Sequence, residues 1–157
     1  MENKLEPLKS LWRKQDLLSF KFANDADIQK FEHNNALYLP IDMQIYFKEV
    51  NGMNGELDSS LFELYSFDEF VPLITKYEDW KGVPSYRDIQ FTMNYHKNCF
   101  VLGNWMMHTF AYAIRLNELP TATNEVFIIC GGDFKVIASS FTEFLNLYLE
   151  DSELLYY

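Results

Sequence analysis

Three histidines, two cysteines and a few carboxylate pairs are the residues of this 157-residue chain that could carry chemistry, and their spacing argues against each reaction in turn. A protein-bound zinc needs three or four N, S or O ligands. His96 and Cys99 make a His-x-x-Cys pair with no further ligand near them in sequence, and His33 and His108 stand at no metal-like spacing from either. A thiolate nucleophile needs an adjacent base. Sequence leaves a pairing of Cys99 or Cys130 with His108 open, but both cysteines sit in apolar runs, NCFVLG and FIICGG, where a buried free thiol is inert. Gly131-Gly132 lacks the Lys and Ser/Thr that must follow in a phosphate-cradling loop, so it is a turn. Asp68-Glu69 and Glu78-Asp79 are adjacent in the chain. Neighbours one apart on a helix do not face each other, so these pairs form solvated edges rather than an acid/base couple. The expectation is a protein without metal or cofactor that is not an enzyme.

Composition narrows the partner. The formal charge is −10, which argues against nucleic acid and anionic membranes, since both are bound through surface Lys and Arg. An acidic field speeds association with a basic partner, although many proteins are acidic for solubility alone. Aromatic residues make up 17% of the chain, with 14 Phe and 10 Tyr. They fill a core or, in part, lie on a contact surface, where Tyr and Trp are over-represented. Two cysteines do not make a disulfide framework, which fits a reducing compartment. The N-terminal MENKLEPLKSLWRKQD has no apolar stretch of a signal peptide, and no run approaches the length of a membrane span. A cytoplasmic location is expected.

The elements that would position any surface follow from periodicity. Residues 3–20 carry Leu5, Leu8, Leu11, Trp12 and Gln15 at helical spacing, with Pro7 in the first turn. Asn24 or Asp25 caps a second helix with Ile28 and Phe31, ending at Asn34-Asn35. A third helix has Pro40 at its first position, Asp42 in its first turn, the stripe Met43, Tyr46, Phe47 and Val50, and a stop at Asn51-Gly52. A short strand is expected at Glu56–Asp58 and another at Leu61–Tyr65. Ser66 and Glu69 have capping-box spacing and open a helical segment with Phe67, Phe70, Val71 and Ile74, and Lys81–Asp88 is a loop. Strands are expected at Cys99–Gly103, Phe110–Arg115, Glu125–Cys130 and Phe134–Ala138, the last two joined by a Gly131-Gly132 hairpin. Ser140 and Glu143 box a final helix with the stripe Phe141, Phe144, Leu145 and Tyr148. The whole is a single α+β domain, a mostly antiparallel sheet flanked by N-terminal helices and a C-terminal helix. The terminal Leu154-Leu155-Tyr156-Tyr157 could close a dimer or pack back on the sheet, and the oligomeric state is open.

The order of short motifs then carries a resemblance. Leu39-Pro40, Asn51-Gly52, the strand ending at Gly103, Tyr112-Ala113-Ile114-Arg115-Leu116, and Ser140-Phe141 with Phe144-Leu145 follow one another as in the SMI1/KNR4 family of the SUKH superfamily. The resemblance covers about Asp25 to Asp151 and leaves the first twenty or so residues outside. It implies helices packed on a mostly antiparallel sheet and a protein-binding, non-enzymatic role. Bacterial members act as immunity proteins that neutralise polymorphic or contact-dependent toxins, and fungal relatives regulate cell-wall synthesis through protein contacts. The motif residues correspond to scaffold positions, so no active residues are transferred. The expected function is occlusion of a cognate toxin, with a regulatory adaptor for an endogenous protein as the alternative. If the toxin is a nuclease, acidic residues would stand in for phosphates. Glu78, Asp79, Trp80, Tyr86 and Asp88, with Trp105 and its neighbours after Gly103, are the candidate contact residues, because Trp and Tyr anchor such interfaces. Trp80 and Trp105 could equally cover the edges of the core.

Overall fold

Runs such as Phe100-Val101-Leu102 and Val126-Phe127-Ile128-Ile129 are apolar at every position rather than at alternate ones, which marks strands buried on both faces. The computed structural model, which describes residues 2–157, has this arrangement. Five strands, β1 (Phe62–Leu64), β2 (Cys99–Trp105), β3 (Phe110–Arg115), β4 (Val126–Cys130) and β5 (Asp133–Ala138), form one antiparallel sheet in sequential order. Alternation divides their side chains. Phe100, Leu102, Tyr112, Ile114, Val126 and Ile128 join one core, and Cys99, Val101, Ala111, Ala113, Phe127 and Ile129 join a second.

The first core lies under α1 (Glu2–Lys14), α2 (Asp25–Asn35), α3 (Ile41–Glu49) and α6 (Phe141–Leu149). The stripes expected on α3 and α6 are buried, with Phe47 and Phe144 each 1% exposed. Polar contacts at and below the surface tie the layers together. Trp12 Nε1 donates to the Tyr148 hydroxyl at 3.0 Å, and that hydroxyl donates to Asp58 Oδ2 at 2.5 Å. Asp42 Oδ2 accepts from both the N–H and the hydroxyl of Thr142, joining the start of α3 to the start of α6. The second core lies under α4 (Leu73–Lys76), α5 (Ile89–Thr92) and the loops between them. Two motif glycines have steric reasons. A Cβ on Gly103 would stand 2.2 Å from the Glu63 carbonyl where β1 pairs, and one on Gly52 (φ +81) would stand 2.5 Å from Ser66 N.

Several expectations are corrected. The first helix ends at Lys14, not at 20, because Asp16 turns left-handed (φ 57), and the segment after it is irregular, held by the Asn51 and Asn54 amides on Lys21 O and Leu18 O. Pro40 is the N-cap of α3 rather than its first residue. Glu56–Asp58 is not a strand. Asp58 works as a cap whose Oδ1 accepts from the N–H groups of Ser60 and Phe62. The Ser66–Glu69 box is present but opens only a 3-10 turn, Phe67–Glu69, and Pro72 separates it from α4. At α6 Ser140 caps Glu143 N, while the Glu143 carboxylate reaches back to Ser139 rather than Ser140. Leu155 is buried and Tyr156 packs against Phe62 and Trp105, so the C-terminal residues fold back on the sheet. No helix of the described residues is long and apolar enough to cross a membrane.

Candidate functional site

The β2–β3 turn is where the backbone departs furthest from ordinary geometry. Met106, Met107 and His108 have φ of 47, 53 and 72. Three successive non-glycine residues in the left-handed region cost on the order of 1 kcal/mol or more each, so the surrounding structure must over-determine them. It does so through His108. The His108 N–H donates to Asn104 Oδ1 at 3.0 Å, and the His108 carbonyl accepts the Tyr86 hydroxyl at 2.5 Å. The His108 Nδ1 and the Tyr77 hydroxyl lie 2.9 Å apart. Asn104 is itself 2% exposed, and its amide nitrogen donates to the Tyr65 hydroxyl at 2.8 Å. Burial pushes the Tyr65, Tyr77 and Tyr86 hydroxyls up, so all three remain neutral hydrogen-bonding groups. Burial, and secondarily the Lys76 ammonium, holds the His108 imidazole below its ordinary range. The result is a rigid tip that presents Met106 and Met107, the latter 75% exposed, to solvent.

Around this tip the structure gathers some of the residues named from sequence and separates others. Glu78 and Asp79 are exposed just after α4 and, with Lys76, Trp80 and His108, line one open hollow. Trp80 is half-buried. Its Nε1 donates to Pro84 O at 2.7 Å, and its ring centroid lies 5.1 Å from that of His108. Asp88 is exposed but sits beside Gly132 of the β4–β5 hairpin rather than in the hollow. Tyr86 is a correction: it is fully buried, stacked on Tyr77 at 4.1 Å, and supports the surface from beneath without forming it. Trp105 lies on the other face of the sheet. It stacks on Phe110 at 5.3 Å with its Nε1 on Ser60 O, at the root of the tip and the margin of the first core. Asn104, Met106 and Met107 lie among the neighbours of Trp105 after Gly103 that the sequence offers as contact residues, but their types alone do not mark them out. The signal that could have found them is an Asn in the strand where a two-sided apolar run ends, followed by a turn without glycine.

Among the described residues neither cysteine is hydrogen-bonded to a histidine. His96 Nδ1 contacts Met93 O at 2.8 Å, and the Cys99 thiol faces Met93 Sδ and Tyr95 O. Burial pushes the Cys99 thiol up to about 12, which suppresses the thiolate. Cys130 is half-exposed, contrary to the expectation of two buried thiols. Among the described residues no three His, Cys, Asp or Glu side chains form a group that could hold a metal ion. What the arrangement offers is a shaped surface with apolar and charged groups.

Compared with known proteins, residues 23–147 match the model of the SMI1 / KNR4 family (SUKH-1). No curated protein shows significant similarity to the chain.

Proposed function

The chain belongs to the SMI1/KNR4 family (SUKH-1), a family of generally non-enzymatic, immunity-type domains, and from that premise we propose that it is an immunity protein that binds a toxin domain and occludes its active site. It acts in the cytoplasm of the cell that makes it, as a stoichiometric inhibitor. The observation that carries this reading is the Met106-Met107 tip, an exposed apolar wedge whose strained backbone is fixed by Asn104, Tyr77 and Tyr86. A strained, solvent-facing turn adds nothing to stability, and such strain collects where a protein meets a ligand. Flexible thioether side chains on a rigid backbone suit an apolar pocket of a partner. Glu78 and Asp79 beside the tip, with Trp80 behind them, supply the charge and the aromatic floor. Asp88 and Trp105 lie at the margins of the contact. A basic active-site groove, such as that of a nuclease, is the complement of this surface and of a net charge of −10.

The test is co-expression with the toxin domain encoded beside the gene. Survival of cells carrying both, with a 1:1 complex on purification, is the expected result. A toxin that stays fully active against saturating protein contradicts the proposal and transfers the surface to an endogenous partner.

A further inference from the structure

The two edges of the sheet are built differently. On β1 the preceding loop closes the edge. Leu64 O accepts the Met53 N–H at 3.2 Å, Phe62 O accepts the Asp58 N–H at 2.9 Å, and the Phe62 N–H donates to Asp58 Oδ1 at 2.9 Å. On β5 no loop or side chain among the described residues bonds to the outer backbone of residues 133–137. Asp133, Lys135 and Val136 are exposed there, Val136 by 53%, and Phe134 is half-buried. An uncovered edge strand is a template for another strand.

Its register is readable. The hairpin closes on the pair Cys130–Asp133 around Gly131 (φ 63) and Gly132. In a two-residue hairpin the closing pair turns its N–H and C=O groups inward, so Phe134 and Val136 turn theirs outward. Asp133 and Lys135 flank Phe134 on the opposite face from it. Neither has an ion-pair partner within the described residues. Lys135 rests over the Tyr157 ring, 4.3 Å from its centroid.

We propose that β5 is a self-association edge, pairing antiparallel with β5 of a second copy about an axis at Phe134. That register puts the two Phe134 residues opposite each other as a hydrogen-bonded pair. It also sets Asp133 of each copy directly across from Lys135 of the other, in the closer, non-hydrogen-bonded pairing where cross-strand charges interact most. An axis at Asp133 or Lys135 would oppose like charges, and one at Val136 would set Lys135 across from Ile137, so only the Phe134 register pairs Asp133 with Lys135. The sheet becomes a continuous ten-stranded one, and Val136 leaves solvent. The tip at Met106-Met107 is on another turn and stays free.

The experiment is sedimentation equilibrium of the full chain across a wide concentration range, on wild type, D133K, K135D and the double variant D133K/K135D. All the changes are at exposed positions, and circular dichroism confirms folding. Wild type forms a reversible dimer. Each single reversal replaces two attractive contacts with two repulsive ones and weakens the dimer roughly tenfold. The double swap restores it. D133K is the discriminating variant, because it moves the net charge from −10 towards neutral: general repulsion between copies predicts tighter association, whereas the register predicts weaker. A wild type that stays monomeric overturns the proposal, with Lys135 then acting as a guard against pairing. So does a dimer that ignores the charge swaps.

Discussion

Asn104 Oδ1 accepts the His108 backbone N–H at 3.0 Å from a side chain that is 2% exposed, and the same side chain donates to the Tyr65 hydroxyl at 2.8 Å. One buried amide thus fixes the strained turn to the second core. Asn104→Ala removes one partner of the buried Tyr65 hydroxyl and leaves the His108 N–H without its acceptor, and such losses cost about 1–3 kcal/mol. Thermal or urea unfolding should show a loss of that size. An unchanged midpoint would mean the turn is held without Asn104.

The strain itself can be measured. Met107 has φ 53 and is 75% exposed, so its side chain contributes little to packing. Met107→Gly removes the left-handed penalty but adds freedom to the unfolded chain. The two effects leave stability unchanged or raised, by up to about 1 kcal/mol. Partner binding falls, because the apolar wedge is lost. A clear loss of stability would show that the thioether packs inside the fold.

The His108 imidazole gives a pH dependence. Burial and then Lys76 hold it below its ordinary value, so on acidification the unfolded chain takes up this proton before the folded one. The unfolded state binds more protons in that window, and stability therefore falls as pH drops below the unfolded value of about 6.5. The contribution is complete above that value and is lost towards the lowered folded value. His108→Asn, a residue that tolerates left-handed φ, should flatten the wild-type slope between about pH 7 and 5. Parallel slopes for the two proteins would place the titration elsewhere.

The two thiols should behave differently. The Cys99 proton is held by burial, up to about 12, while Cys130 is half-exposed. A thiol reagent at neutral pH should modify Cys130 in the folded protein and Cys99 only on unfolding. Equal rates for both in the native state would contradict the burial of Cys99.

Much of the fold was legible because the chain marks its elements with local chemistry. Asn24 and Ser140 cap where their types suggest, and the stripes on α3 and α6 are buried. Gly131-Gly132 turns the final hairpin. The misread segments are those where a side chain acts at a distance. Asp58 resembled part of a strand but caps Phe62 and holds Tyr148, ninety residues away in sequence. The candidate surface was half legible. Glu78, Asp79 and Trp80 could be found by type and do lie together, whereas Tyr86 looked like an anchor and proved to be support. Trp105 and Trp80 belong to opposite faces of the sheet, a relation set by strand alternation and a bulge between Val101 and Gly103 that local patterning does not reveal.

The most direct test of the central claim is to titrate the neighbouring toxin domain's activity with wild-type protein and with the M106S/M107S variant, at low and high salt. The proposal predicts complete inhibition at one equivalent of wild type, weakening as salt rises. It also predicts a large loss of potency in the variant, whose unfolding midpoint is unchanged because both side chains are exposed. Equal inhibition by the two proteins would move the binding surface away from this tip. No inhibition by either would contradict the immunity function itself.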